Sequence, residues 1–328
     1  MEEVSNVEVL IEARDLCKYY PVKAKKIFEK NKKVRAVEKL NLSIRKGSTF
    51  GLVGESGCGK STTGQMLSEI VSATQGEILY QDKPLREMNR MERAAVRKKI
   101  QMVFQDPYSS LNPKRTIEWT LEEPLKSCTK LGKKERKQKV QEILKIVGLD
   151  ESYGQRYPGE LSGGQRQRVS IAAALILDPE FVIADESVSA LDVSVQAQIL
   201  NLLQKLQKEK GLTYLFISHD LNVVQYMSDE IGVMYLGHLV ELGDAQEVCS
   251  HPAHPYTKAL LSAIPEVEGV RKERIVLEGE VPSPANVPEG CPFHTRCKEA
   301  QERCRKEYPA PRKVKEGHVV CCHNVAKV

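Results

Sequence analysis

The stretch FGLVGESGCGKST, residues 50–62, runs from a short apolar segment, Phe50 to Val53, into a glycine-rich turn that ends in Lys60 and Ser61. Gly54, Gly57 and Gly59 allow so tight a backbone that successive N–H groups converge on one anion, and a helix starting near Lys60 adds its positive end. Lys60 is spaced to reach β and γ phosphates, and the Ser61 hydroxyl to coordinate Mg²⁺. Glu55, Ser56, Cys58 and Thr62 complete the expected nucleotide-binding loop. A plain glycine turn is the alternative, and the strand before the loop argues against it.

The chain has 328 residues, enough for about two domains, and its 41% hydrophobic and 28% charged content is ordinary for a globular protein. The net charge of +5 is carried by short runs such as Lys23, Lys25, Lys26, Lys30, Lys32, Lys33 and Arg35. Such runs read first as a solvated loop, and second as a face for anionic lipid or nucleic acid. No run of about 18 apolar residues occurs, and the N-terminus lacks the charged start and apolar middle of a secretory signal. The expectation is a soluble or peripheral, cytosolic protein.

Outward from the loop, Val7 to Ile11 reads as a strand, Lys18-Tyr19-Tyr20-Pro21 as turn-like, and the basic stretch to Arg35 as an insertion. Leu40, Leu42 and Ile44 alternate. Gly76–Tyr80 and Ile100–Phe104 are further strands, separated by a charged segment at 88–99, and residues 105–113 are turn-rich loop. Between 116 and 175 the period becomes helical, with Val140, Ile143, Leu144 and Val147 on one face. From Phe181 to Ala184 a buried strand returns and ends in Asp185-Glu186. A helix carrying Val195, Ile199, Leu202, Leu203 and Leu206 closes at Gly211, and Tyr214–Ile217 ends in Ser218-His219-Asp220. Residues 231–242 read as a hairpin turning at Gly237-His238. Strands and helices that alternate, with phosphate-binding residues at strand carboxyl ends, predict an α/β core with a mainly parallel sheet and an inserted helical subdomain.

An acid ending a buried strand, Asp185, suits Mg²⁺ held beside a phosphate loop, and Glu186 is placed to polarise an attacking water. Two solvated acids at a strand end are the bland alternative. The upstream loop disfavours it.

Leu161-Ser162-Gly163-Gly164-Gln165-Arg166-Gln167-Arg168 resembles the signature motif of ABC ATPases. Its chemistry fits, because a serine hydroxyl and glycine amides opening a helix make a second anion-binding surface. The resemblance implies a P-loop NTPase fold with an antiparallel β subdomain. It also implies two ATPases meeting head to tail, with Ser162, Gly163, Gly164 and Gln165 closing over the partner's ATP. In the same terms Gln105 is the residue sensing Mg²⁺ and the membrane subunit, Ser189-Ala190-Leu191-Asp192 is the D-loop, and His219 contacts the γ-phosphate. Tyr20 matches the aromatic that stacks on adenine, with Tyr19 as its rival. Ser187 stands where the family usually has proline, a change that removes no ligand.

Residues 105–113 (QDPYSSLNP), 254–261 (HPYTKALL) and 279–284 (GEVPSP) resemble, more narrowly, the ATPase subunits of oligopeptide and dipeptide importers. The resemblance spans residues 7–328 and implies ATP hydrolysis that powers peptide import. It further implies a heterodimer with a second ATPase subunit, of which this chain is similar to the F type, two membrane permeases and an extracellular solute-binding protein. The expected location is the cytoplasmic face of the membrane, with no nucleic-acid partner. A nickel or other small-solute importer stays open, as does a non-transport ABC ATPase. An ATPase domain over 7–265, with a helical subdomain at about 106–178, and an extension over 266–328 are the expected boundaries.

Five of nine cysteines, Cys291, Cys297, Cys304, Cys321 and Cys322, crowd that extension. In a reducing compartment this favours metal over disulfides. The first spacing is too long for a zinc-ribbon pair, and thiolates in irregular backbone suit an iron–sulfur cluster. Zinc and plain buried thiols remain alternatives. The family resemblance implies a four-iron four-sulfur cluster held by Cys291, Cys297, Cys304 and Cys322. Cys58, next to Lys60 and a helix start, is expected to have a lowered pKa and to react readily, unless its position merely needs a small residue.

Overall fold

The computed structural model describes residues 8–22, 32–189, 191–264 and 275–325. Val7, Lys23–Lys30 of the basic run and Ala190 of the D-loop lie outside the described residues.

Among the described residues eight strands make the main sheet, in the order β11 (Arg312–Lys315), β12 (His318–Val320), β10 (His238–Asp244), β9 (Glu230–Tyr235), β3 (Thr49–Val53), β8 (Thr213–Ile217), β7 (Phe181–Asp185) and β6 (Ile100–Val103). Five of them, β3 (Thr49–Val53), β6 (Ile100–Val103), β7 (Phe181–Asp185), β8 (Thr213–Ile217) and β9 (Glu230–Tyr235), are mutually parallel. Both faces are covered, so these strands are near-continuous apolar runs. Alternate side chains then part: Phe181, Ile183, Leu215 and Ile217 enter one core, and Val182, Ala184, Tyr214 and Phe216 the other.

The first core also receives the antiparallel sheet β2-β1-β4-β5, made of β1 (Val9–Val22), β2 (Lys32–Arg45), β4 (Gln75–Tyr80) and β5 (Lys83–Pro84). Here the expected turn at 18–21 is corrected, because Lys18 to Pro21 continue β1 and pair with β2. Pairing of β1 with β4 stops at Cys17, so beyond it β1 is an edge on that side, where Pro21 removes no ladder bond. The second core joins the helical insertion between β6 and β7. That insertion holds α3 (Pro107–Ser110), α4 (Ile117–Cys128), α5 (Lys133–Ile146) and α6 (Gly163–Leu175), after α1 (Lys60–Leu67) and α2 (Arg90–Lys99) earlier in the chain. The stretch expected as loop at 105–113 thus contains a helical turn, started by Pro107 and capped by Asp106, whose carboxylate accepts from Tyr108 N–H. After β7 comes α7 (Val193–Lys210), ended by Gly211 at φ 64°, and after β8 comes α8 (Leu221–Met227).

β9 and β10 (His238–Asp244) form the expected hairpin. Past α9 (Ala245–Ser250), α10 (Pro255–Ser262) and α11 (Glu302–Lys306), strands β11 (Arg312–Lys315) and β12 (His318–Val320) extend the main sheet through β10. Cys291, Phe293 and Cys304 are buried in the second core, so this part of the C-terminal region is packed into the fold. Among the described residues no helix is long and apolar enough to cross a membrane.

Candidate functional site

The order β3-β8-β7-β6 aligns four strand carboxyl ends in one row. From β3 the chain enters the phosphate loop. From β6 it reaches Gln105, from β7 Asp185 and Glu186, and from β8 His219. Residues far apart in sequence meet because parallel strands deliver their ends to one sheet edge.

Glycine is required in the loop by contact as much as by conformation. Gly59 caps α1 at φ 109°, and a Cβ there would lie 2.1 Å from the Ala36 carbonyl oxygen. The Lys60 ammonium is buried and donates to the carbonyls of Gly54 (2.7 Å) and Glu55 (3.1 Å), which hold it across the loop. The Ser61 hydroxyl donates to Asp185 Oδ1 at 2.9 Å. Burial raises the Asp185 pKa, with Glu186 adding to it, although the bond from Ser61 and the charge of Lys60 oppose the rise. A buried carboxylate so destabilised gains strongly from a nearby cation.

Both oxygens of Glu186 are faced by polar groups: Gln105 Nε2 donates to Oε2 at 2.6 Å, and His219 Nδ1 stands 3.5 Å from Oε1. Glu186 has φ 44°, in the left-handed region, and its N–H donates to the Ile217 carbonyl at 2.9 Å. Backbone strain of this kind gathers at functional sites. Ser187 behind it is buried, and among the described residues its hydroxyl has no hydrogen-bond partner.

A cavity of about 190 Å³ is lined by Val34, Ala36, Ser56, Gly57, Gly59, Lys60, Ser61, Thr62, Gln105, Glu186 and Pro284. That is below the roughly 300–1,000 Å³ usual for a ligand pocket, so a nucleotide here needs walls from elsewhere. Tyr20 does not line it, but its cross-strand partner Val34 does, and paired residues share a sheet face. Tyr19 points its hydroxyl to Glu38 instead, at 2.8 Å. Ser162 to Gln165 are absent from the lining. Ser162 caps α6 in a reciprocal box, its N–H donating to Gln165 Oε1 (2.9 Å) while Gln165 N–H donates to Ser162 Oγ (3.3 Å). The first turn of α6 is therefore fixed.

Cys58 reverses its expectation. The thiol is 3% exposed, and burial raises its pKa more than Lys60 and the adjacent backbone lower it. The helix start is visible in sequence and the desolvation is not.

The nine cysteines are free. Burial pushes the Cys291 thiol up to about 12, with further upward pressure from Cys304, Cys322 and Cys297. Even so, among the described residues no group of three or more His, Cys, Asp or Glu side chains is drawn together to hold a metal ion. The expected metal centre has no preformed ligand set.

Sequence reasoning missed two residues that hold the loop from behind. Arg296 donates to both carboxylate oxygens of Glu55, at 2.8 and 3.2 Å, and the Tyr256 hydroxyl accepts from Glu55 N–H at 2.8 Å. Tyr256 belongs to the quoted segment 254–261, but nothing in that pattern points to the loop.

The family model for ABC transporters matches residues 37–189, and that for the oligopeptide/dipeptide transporter C-terminal region matches residues 240–304. Oligopeptide transport ATP-binding protein AppF of Bacillus subtilis (strain 168) is 49% identical over 323 residues, 97% of this chain and 98% of that protein. The chain belongs to the ABC transporter ATP-binding family, in the branch that carries this C-terminal region. Dipeptide transport ATP-binding protein DppF of Escherichia coli (strain K12) is 47% identical over 99% of this chain and 97% of its own. Among solved structures, the dimeric post-hydrolysis ATP-binding cassette MJ0796 bound to ADP and Pi is 29% identical, with a TM-score of 0.64, and covers 72% of this chain and 99% of that one. That cassette is a dimer, an arrangement in which a second chain can supply the walls that a small cavity lacks.

Proposed function

We propose that this chain is the ATP-hydrolysing subunit of an importer of oligopeptides or dipeptides. The observation that carries the reading is the row of strand ends: a buried lysine and glycine loop, Ser61 bonded to Asp185, and Glu186 flanked by Gln105 and His219. Gly54 to Thr62 hold the phosphates of ATP, Tyr20 stacks on adenine, and Ser61, Asp185 and Gln105 serve Mg²⁺, which neutralises developing phosphate charge. Glu186 takes the proton of the attacking water, and His219 contacts the γ-phosphate. Ser162 to Gln165, on a capped helix start, close over a partner's ATP.

The partner is a second ATPase subunit, so the working unit is a head-to-tail heterodimer. It sits at the cytoplasmic face of the membrane beneath two permeases fed by a solute-binding protein. Residues 7–265 supply the ATPase and 266–328 the extension. Purification of the chain with its permeases and binding protein, followed by solute-stimulated ATPase assays, tests this: stimulation by peptides supports it. Stimulation by nickel and by no peptide moves the chain to a metal importer.

A second reading concerns Cys291, Cys297, Cys304 and Cys322 as ligands of a four-iron four-sulfur cluster. Its support is that Cys291 and Cys304 are buried in the second core with Cys297 packed against it, and that Cys291 N–H donates to the Cys304 carbonyl at 2.8 Å; thiolates that each meet a different iron stand wider apart than ligands of one ion. Such a group would supply a redox-active or purely structural cross-link among these four positions. Anaerobically purified protein with about four iron and four inorganic sulfide per chain supports it; stoichiometric zinc and no iron excludes it.

A further inference from the structure

We infer that Arg296 and Tyr256 are positioning residues for the phosphate loop, so that the C-terminal region sets the loop's shape and hence its affinity for nucleotide. The inference rests on the reading of residues 54–62 as an ATP phosphate cradle, and goes beyond it by making that cradle depend on residues outside the core ATPase motifs.

Glu55 is the second residue of the loop, and three of its groups are already engaged. Its carboxylate takes a two-pronged bond from Arg296, its N–H donates to Tyr256, and its carbonyl accepts from Lys60. A guanidinium fork on a carboxylate fixes direction as well as distance. The Arg296 side chain is only 8% exposed, and that of Glu55 26%, so water screens this pair weakly. Tyr256 is fully buried, with its ring 4.7 Å from that of Tyr235 and 5.4 Å from that of Phe293. Phe293 lies three residues before Arg296, in the segment bounded by Cys291 and Cys297. Both anchors of Glu55 therefore rise from one aromatic cluster, and both fall within the C-terminal family region at 240–304.

The Lys60 ammonium has three N–H donors, of which the Gly54 and Glu55 carbonyls take two, so phosphate entering the loop competes with those carbonyls for Lys60. Whatever Lys60 then does, Arg296 and Tyr256 still hold Glu55, together with the Cys58 N–H that donates to its carbonyl at 3.3 Å, and so hold the turn at Gly54 to Gly57. Arg296 touches no reacting atom and acts through Glu55.

The test uses the full-length chain and MgATP, by calorimetry, with thermal melting in parallel. Arg296→Gln and Glu55→Gln should each bind MgATP about 10-fold more weakly, the double variant no more weakly than either single one, and Arg296→Lys should recover part of the loss. In the assembled transporter the same variants should raise KM for ATP more than they lower kcat, which a general loss of packing would not do. Wild-type affinity in Arg296→Gln overturns the inference, as does a loss that is additive in the double variant or unrelieved by lysine. Failure of the underlying reading looks different: wild-type protein that binds no MgATP, or a Lys60→Ala variant that binds it unchanged.

Discussion

Gln105 Nε2 donates to Glu186 Oε2 at 2.6 Å, joining the loop that follows β6 to the residue that follows β7 across 81 positions of sequence. The bond occupies one oxygen of Glu186, and His219 stands 3.5 Å from the other. A carboxylate held between an amide and an imidazole has a defined direction before any substrate arrives, and its proton-accepting oxygen can be freed by moving either neighbour.

Replacing Glu186 by Gln keeps shape and removes basicity. Turnover in the assembled transporter should fall at least about 100-fold, the lower end of what a positioned base contributes, while MgATP still binds. Paired ATPase and binding assays check this. A variant that hydrolyses at the wild-type rate ends the assignment of Glu186 as base.

The loop glycines should differ in tolerance. Among the described residues Gly57, at φ 76°, has no atom within 4 Å of an added Cβ, whereas at Gly59 the same atom would meet the Ala36 carbonyl oxygen at 2.1 Å. Gly57→Ala should cost about 1 kcal/mol from its positive φ alone. Gly59→Ala should cost more, about 2–4 kcal/mol, because backbone must move away as well. Thermal melting of the two variants separates them; equal losses would contradict the contact.

Cys58 should be inert. Its thiol is buried and its pKa raised, so at neutral pH the thiolate fraction is below that of an open cysteine, and the sulfur is out of reach. Mass spectrometry after alkylation of the native chain should find Cys58 unmodified until the protein unfolds. Rapid labelling that MgATP blocks would instead show that the loop opens in solution.

The strands that build the site are legible because each is an apolar run ending in a group with chemistry: Val53 before the glycines, Phe181–Ala184 before Asp185, Tyr214–Ile217 before His219. Periodicity likewise exposes α5 and α7. Lys18 to Pro21 read as a turn because proline and paired tyrosines look like one, and only the end of the β1–β4 pairing at Cys17 makes an edge there that accepts them. The Arg296–Glu55 pair is invisible in sequence, since its partners are 241 residues apart and the phosphate-loop pattern that contains Glu55 says nothing of what its carboxylate meets. Burial of Cys58 belongs to the same class. A one-dimensional pattern records charges and helix starts nearby, but not what the rest of the chain stacks on top.

Acid should act on the structure behind the loop through His254. Its Nδ1 accepts from Tyr256 N–H at 3.1 Å, capping α10, and its backbone N–H donates to Glu241 at 2.9 Å. Burial lowers its pKa from 6.5 to about 4, against the pull of Glu241 and with help from Lys258 on the same helix. The unfolded chain therefore binds a proton in a range where the folded chain does not. Stability from this site is complete above pH 6.5 and is lost as pH falls toward 4. The loss should be of the order of 3 kcal/mol by pH 4, because protonation both charges a buried ring and removes the acceptor of the cap. His254→Asn keeps a capping acceptor and has no titration in this range, so its denaturant midpoint should change less than that of the wild type as pH falls from 6.5 toward 4. Because α10 carries Tyr256, the wild type should also lose MgATP affinity over that range more steeply than His254→Asn; identical pH profiles for the two proteins would show that the cap is not the acid-sensitive element.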